Sequence, residues 1–326
     1  LRNRSTIKRA PSIFHLVSKF GITHESGSLK RVLVHHPGRE LELANIDPEK
    51  HHFDGPVDVD QFIGEHGGLV KALTEAGVEV LDVGALVEKD IKIAKQVRQC
   101  PNLVFTRDSS AVTDGGAILM RMGLPSRRLE TPVIKAAHKA LGVPIGIELK
   151  EPETFEGGGF ALLEGRTAVA GLCARTTAGA LEGVRRFLFE KKVADTFIVL
   201  NLSPDDIHID GDFAELPGKH VILHVASLDY APAVFYTRSG SWKASYVDWL
   251  REEGWDIIEI TDRERMDMAA NFLTVYKDLA IHYEGNPRVM REVRERGTEV
   301  IQIKGDTLRK GNGGVHCMTC PILREV

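Results

Sequence analysis

The chain has 326 residues, 43% hydrophobic and 27% charged, with a formal net charge of −4. That length supports a substantial core without disulfide staples, and the mild negative charge offers no basic field for nucleic acid. Four scattered cysteines (Cys100, Cys173, Cys317 and Cys320) do not make a secreted disulfide framework. No apolar run approaches the ~18 residues of a membrane span, so a cytoplasmic location is expected. The opening LRNRSTIKRAPSIF is basic, lacks the apolar core of a signal peptide and starts without Met. Residues 1–27 are read as an N-terminal arm ahead of a single domain over 28–326.

From Ser28 onward, short β-like runs alternate with helical patterns. KRVLVHHPG (30–38) reads as a strand ending in a Pro-Gly turn, and residues 60–77 carry helical apolar spacing that stops at Gly77. Residues 78–83 form a strand, and 102–120 read as two strands around an Asp-Gly-Gly turn. A helix over 133–142 ends in glycine. The cycle then repeats: strand-turn-strand over 155–172, and a helix over 176–191 capped by Thr176 or Thr177. Strands are expected at 197–202, 220–228, 271–283 and 299–305, and helices at 241–254 and 287–297. The order is that of an α/β protein built from repeated β-β-α-β modules, with small sheets arranged around a centre.

Four segments share a form, apolar residues followed by acids or histidine, often beside glycine. They are FTRD (105–108), FEGG (155–158), HID (208–210) and GGVHC (313–317), each at a strand end or turn. One thiol, one imidazole and three carboxylates (Asp108, Glu156, Asp210) suit a planar cation better than zinc, which needs more soft ligands. A guanidinium presents five N–H donors in a fixed fork that matches carboxylates. It would also relieve the cost of burying several acids together. A thiolate could attack its central carbon while a histidine moves protons. No metal and no organic cofactor is required by this chemistry.

With FTRD, FEGG, HID and GGVHCMTCPI in this order, the chain resembles the arginine deiminase family of guanidino-group-modifying enzymes from about Ser28 to its end. SLKRVLVHHPGREL (28–41) also looks like that family's opening strand. The resemblance implies a five-bladed β/α propeller (the pentein fold) of pseudo-repeated ββαβ modules. It implies that Cys317 is the nucleophile, forming a covalent amidino intermediate. His208 is the matching general acid and base, Glu156 orients His208 and the substrate, and Asp108 and Asp210 grip the guanidinium. Phe105 would lie against the guanidinium plane, Arg127 and Arg175 would hold an α-carboxylate, and Asn102 would stand near it.

The implied activity is cysteine-dependent hydrolysis of L-arginine, or a close guanidino amino acid, to citrulline or the matching ureido product plus ammonia. Amidino transfer to an amine, or a dimethylarginine-type hydrolase, is the alternative within enzymes; a non-catalytic guanidine-binding module is the alternative outside them. The expected partner is a small guanidino molecule, with no nucleic acid and no membrane; homo-oligomer formation is left open. Three departures bear on substrate. The extra helical domain of typical arginine deiminases has no room between residues 83 and 105, a compactness shared with the dimethylarginine hydrolase and amidinotransferase branches. The family's EGGD reads EGGG, with Gly159 in place of the acid, and Asn312 stands where an arginine usually covers the substrate.

Overall fold

The computed structural model describes residues 20–325. Strands β1 (Ser28–Val34) and β2 (Glu79–Asp82) run parallel, joined through a helix over Val59–Glu75. The Asp58 side chain accepts the Gln61 N–H at the start of that helix, and its buried face carries Phe62, Leu69 and Leu73. Strands β3 (Ser110–Thr113) and β4 (Gly116–Leu119) form a hairpin, and β5 (Ile145–Glu148) joins β4 in parallel after a helix over Glu130–Leu141. That helix ends as expected at Gly142, whose φ of 72° is the left-handed conformation of a helix stop.

The same order recurs. Strands β6 (Phe160–Leu163) and β7 (Thr167–Leu172) form a hairpin, and β8 (Thr196–Asn201) runs parallel to β7 beyond a helix over Ala178–Glu190. Of the two expected caps it is Thr177 that accepts the Ala180 N–H. Strands β9 (Phe213–Leu216) and β10 (His220–Leu223) pair antiparallel. The hairpin β11 (Ala233–Tyr236) and β12 (Ser241–Ala244) then leaves that module and widens the third sheet along β8. After a helix over Tyr246–Glu252, β13 (Asp256–Glu259) returns parallel to β10. Strands β14 (Leu273–Tyr276), β15 (Leu279–Tyr283) and β16 (Glu299–Ile303) complete the last full module, with the Pro287–Glu295 helix before β16. Finally β17 (Cys320–Glu325) pairs antiparallel with β1, so the first sheet is β17-β1-β2 and joins the two ends of the described chain.

Among the described residues five sheets therefore share one plan, an antiparallel pair followed by a parallel strand, and bonds link several neighbouring modules. Cys320 Sγ lies 3.5 Å from Ser110 Oγ, joining the first sheet to the second. Ile209 and Asp210 donate their N–H groups to the Gly158 carbonyl, joining the entry to the fourth sheet to the glycine run before the third. Thr274 Oγ1 donates to the Glu215 carbonyl, and Arg324 Nη1 donates to the Thr274 carbonyl, which returns to the first sheet.

Several expected elements change form. Residues 102–109 are not strand but two tight helical turns, Pro101–Val104 and Thr106–Ser109, and the hairpin begins only at Ser110. The apolar run misled here because a buried turn and a buried strand share its composition. Residues 241–244 are strand rather than the start of the helix, and residues 225–228 are a helical turn rather than strand. The expected arm is divided: residues 1–19 lie outside the described residues, while Gly21 bridges to Leu323 and Glu25, Ser26 and Gly27 pack against the body.

Candidate active site

The five expected acid, histidine and thiol groups meet in one place. Cys317 Sγ lies 3.2 Å from Asp210 Oδ2, and the thiol is nearly buried. His208 Nε2 lies 2.8 Å from Glu156 Oε2, while its Nδ1 faces Asp108 Oδ1 at 3.7 Å and Asp210 Oδ1 at 3.9 Å. Asp108 is buried; its Oδ2 accepts from Arg127 Nη1 at 2.7 Å, and its Oδ1 has no hydrogen-bond partner. A buried carboxylate oxygen without a donor is costly, and this one faces the imidazole.

Glycines make the approach possible. A Cβ on Gly158 would stand 2.6 Å from His208 Nδ1 and 2.8 Å from Asp108 Oδ1, inside the contact distance of both. In the second glycine turn, a Cβ on Gly313 would stand 2.2 Å from the Phe105 ring and one on Gly314 2.2 Å from Asn271 Oδ1. Gly313 is held from behind by Tyr283, whose hydroxyl donates to its carbonyl at 3.0 Å.

The electrostatics divide sharply. Burial pushes the Cys317 thiol well above the usual thiol range, and the charges of Asp210 and Asp108 push the same way. Burial opposes the charged form of His208, but Asp108, Glu156 and Asp210 outweigh it and raise the imidazole above its ordinary value. Burial likewise disfavours ionised Glu156, yet His208, Arg127 and Arg175 hold that carboxyl well below the carboxylate range. Asp210 is kept low against its own burial by His316, with His208 and the Cys317 hydrogen bond adding to the effect. The surroundings thus favour a thiol at Cys317, an imidazolium at His208 and carboxylates at Glu156 and Asp210.

The substrate-contact residues are distributed differently from expectation. Arg127 is buried and already engaged, by Glu130 through Nε at 2.8 Å and Nη2 at 2.9 Å, by Asp108, and by the Asn102 carbonyl. In this arrangement it anchors Asp108. Arg175 Nη1 pairs with Glu156 Oε2 at 3.1 Å from a less buried position. Asn102 donates to the His51 carbonyl, and its Oδ1 has no partner. Phe105 lies under the glycine turn, and Asn312, at φ 59°, donates to the His52 carbonyl and to Asp54 Oδ1, each at 3.0 Å. Asn102, Phe105, Asp108, Arg127, Arg175, His208, Asn312 and Cys317 all border one narrow cavity of about 20 Å³. Gly159 sits against the Phe155 ring.

Three neighbours carried no assignment from sequence. Asn271 Nδ2 donates to Cys317 Sγ at 3.1 Å and to the Asp210 carbonyl at 3.0 Å. His316 Nδ1 meets Asp210 Oδ2 at 3.0 Å, and its Nε2 faces Glu25. Glu130 locks Arg127. Only His316, beside the cysteine in GGVHC, had a visible signal. Among the described residues, Asp108, Glu156 and His208 could converge on an ion, their ligand atoms lying within 4.8 Å of one another, as could His24, Glu164 and Glu215. In the first group the carboxylates already bond Arg127, Arg175 and His208, a pattern that matches an organic cation with N–H donors better than an ion's closed shell.

Together these elements define an α/β protein with a buried thiol, imidazole and acid constellation suited to a planar cation. The arginine deiminase family model matches residues 95–324, and the chain belongs to that family. An arginine deiminase of Mycobacterium avium is 29% identical over 246 residues, covering 69% of this chain and 61% of the relative. The chain therefore spans under two thirds of that relative's length. One from Rhodococcus opacus is 24% identical over an alignment of 394 positions, covering 94% of this chain and 97% of the relative. That alignment is longer than this chain, so the relative carries inserted segments. Among solved structures, dimethylarginine dimethylaminohydrolase from Pseudomonas aeruginosa, complexed with citrulline, superposes with a TM-score of 0.68 at 22% identity, over 90% of this chain and 99% of that one. The N-terminal domain of an arginine dihydrolase from cyanobacteria reaches 0.70 at 18% identity, over 91% of this chain and 98% of that one. Both likenesses are of fold. Among the described residues no helix is long and apolar enough to cross a membrane.

Proposed function

We propose that the protein is a cysteine-dependent guanidine hydrolase. It converts L-arginine, or a close guanidino amino acid, to citrulline or the matching ureido product and ammonia, in the cytoplasm and without a metal or organic cofactor. The observation that carries this reading is the unpartnered, buried Asp108 Oδ1 beside His208, with Asp210 next to the Cys317 thiol. A guanidinium between Asp108 and Asp210 supplies the missing donors and cancels the charges that hold the thiol protonated. Cys317 is then ionised by substrate rather than before it. Its sulfur attacks the guanidinium carbon, His208 protonates the departing ammonia, and water activated by the same imidazole releases the product. Glu156 orients His208 throughout, and Arg175 exchanges Glu156 for the arriving α-carboxylate. The five modules are the blades of one propeller, forming with residues 20–27 a single catalytic domain, and the site lies where strand ends from different blades converge.

Incubation with arginine, agmatine, methylated arginines, and arginine plus an amine acceptor, with products identified by mass, tests the reading. Citrulline and ammonia from arginine are expected; ornithine with a new guanidine would assign amidino transfer instead. Cys317→Ala should abolish turnover while still binding guanidine, and full activity in that variant would overturn the proposal.

A further inference from the structure

Arg107, in the FTRD turn, takes no part in the chemistry proposed above, and its side chain is buried, with 4% of the residue exposed. Nη1 donates to Glu25 Oε1 at 3.0 Å, and the backbone N–H donates to the Cys317 carbonyl at 3.1 Å. Nε and Nη2, which form one two-donor edge of the fork, have no hydrogen-bond partner. Leaving charged donors open in the interior is costly. Arg107 borders a small cavity of about 10 Å³, room for a single guest of water size. Glu25, Ser110 and Cys320 are its other polar neighbours, and Ile22, Ala111, Val112, Phe160, Leu162 and Pro321 make the rest of its wall apolar. A guest there meets the open donors of Arg107 and few acceptors. A water has hydrogens of its own to place, whereas an anion needs donors alone.

Charge points the same way. Glu25 stands between two buried guanidinium groups, bonded to Arg107 and 3.9 Å from Arg324 Nη2. Two positive charges thus face one carboxylate. Glu215 adds no second negative charge at neutral pH, because burial, with the charges of Glu25 and Glu164, raises its carboxyl to about 8. Cys320 adds none either, because burial holds it above the usual thiol range. We infer that this cavity is a halide site, with a chloride ion seated on the Nε and Nη2 edge of Arg107. None of Cys317, His208, Glu156, Asp108 and Asp210 borders it, and the site does not depend on the proposed hydrolysis. The ion joins three parts of the chain: the segment before β1 through Ile22 and Glu25, the FTRD turn through Arg107, and β17 through Cys320 and Pro321. Its role is to offset buried positive charge and so to stabilise the fold. Phosphate and sulfate are too large for the space.

The test titrates sodium chloride and sodium bromide against sodium gluconate at constant ionic strength and reads the thermal midpoint, gluconate being too large to enter. Raising either halide from about 1 to about 100 mM should raise the midpoint by about 2 °C or more, with the logarithmic dependence of binding at a site. Arg107→Lys keeps the charge without the two-donor edge and should lose this response. Crystals of the unaltered protein soaked in bromide should show its anomalous peak within hydrogen-bond reach of Arg107 Nε and Nη2, a result that does not rest on the variant folding. The same midpoint in halide and gluconate, an undiminished halide response in Arg107→Lys, or bromide found only elsewhere, such as beside Arg175, overturns the inference. Water density in the cavity with no bromide overturns it too.

Discussion

Asn271 donates a side-chain N–H to the Cys317 sulfur at 3.1 Å, and a donor at that distance favours thiolate over thiol. Asn271→Ala should lower kcat by about 10–100-fold, as loss of a donor to a developing anion does. It should also move the alkylation of Cys317 to higher pH, measured as iodoacetamide rate against pH with the Cys317→Ala rate subtracted. Glu156 acts on the other proton-bearing group. It helps hold His208 above its ordinary pKa, so the imidazolium persists to higher pH. Glu156→Gln removes that anion, His208 loses its proton sooner, and the alkaline limb of kcat/KM should shift to lower pH. An unmoved limb would show that His208 is not the acid that protonates the leaving group. At this scale the sequence was legible where a residue type is rare in its setting, as with Cys317 after a glycine turn. It was silent on Asn271, because an asparagine in an apolar run is uninformative until the sulfur beside it is known.

The GNGGVHC segment works as an element because each of its three glycines lies where a side chain would meet a neighbour, Phe105 at Gly311 and Gly313 and Asn271 at Gly314. Gly314→Ala would drive a Cβ to within 2.2 Å of Asn271 Oδ1, against a side chain that also holds the His316 N–H and the Asp210 carbonyl. Displacement of the nucleophile by about 1 Å can cost on the order of 100-fold in rate. Gly314→Ala is therefore expected to lose activity to about that extent while its far-ultraviolet circular dichroism stays that of the parent; near-parental kcat would remove the close-approach account. The next cysteine serves packing: Cys320 lies in β17 against Ser110, in the packed first sheet, while Cys317 faces the site. The helices over 59–75, 130–141 and 178–190 were readable because apolar period agrees with an end signal in each: a glycine stop at Gly77 and Gly142 for the first two, and a threonine cap at Thr177 for the third. The FTRD turn was not, since a short buried turn has no period of its own.

At the scale of the whole molecule, two histidines outside the site, His66 and His138, are buried in surroundings that favour the neutral ring. Burial lowers the pKa of His66 to about 3 and of His138 to about 4, from 6.5 in the unfolded chain. Between those values the unfolded chain binds more protons than the folded one, so stability is fully present above about 6.5 and declines as pH falls toward 4. The thermal midpoint should drop across that window. His66 is fully buried with neither ring nitrogen bonded, so His66→Leu should flatten the drop, read from melting curves at pH 4.5 and 7. An unchanged difference between the two pH values would rule out His66 as a contributor.

By itself the sequence determined the α/β alternation, the order of the modules and the chemical identity of the thiol, imidazole and three acids, because each is a local property of residue type, period and turn. Only the tertiary structure decided the partners. Arg127 and Asp108 are 19 residues apart, and Cys317 and Asp210 are 107 apart. No local rule says that Arg127 is spent on Glu130 and Asp108, or that Asn271 reaches the sulfur. Those facts follow from how strand ends of different sheets meet, and meeting is a matter of packing across the whole chain.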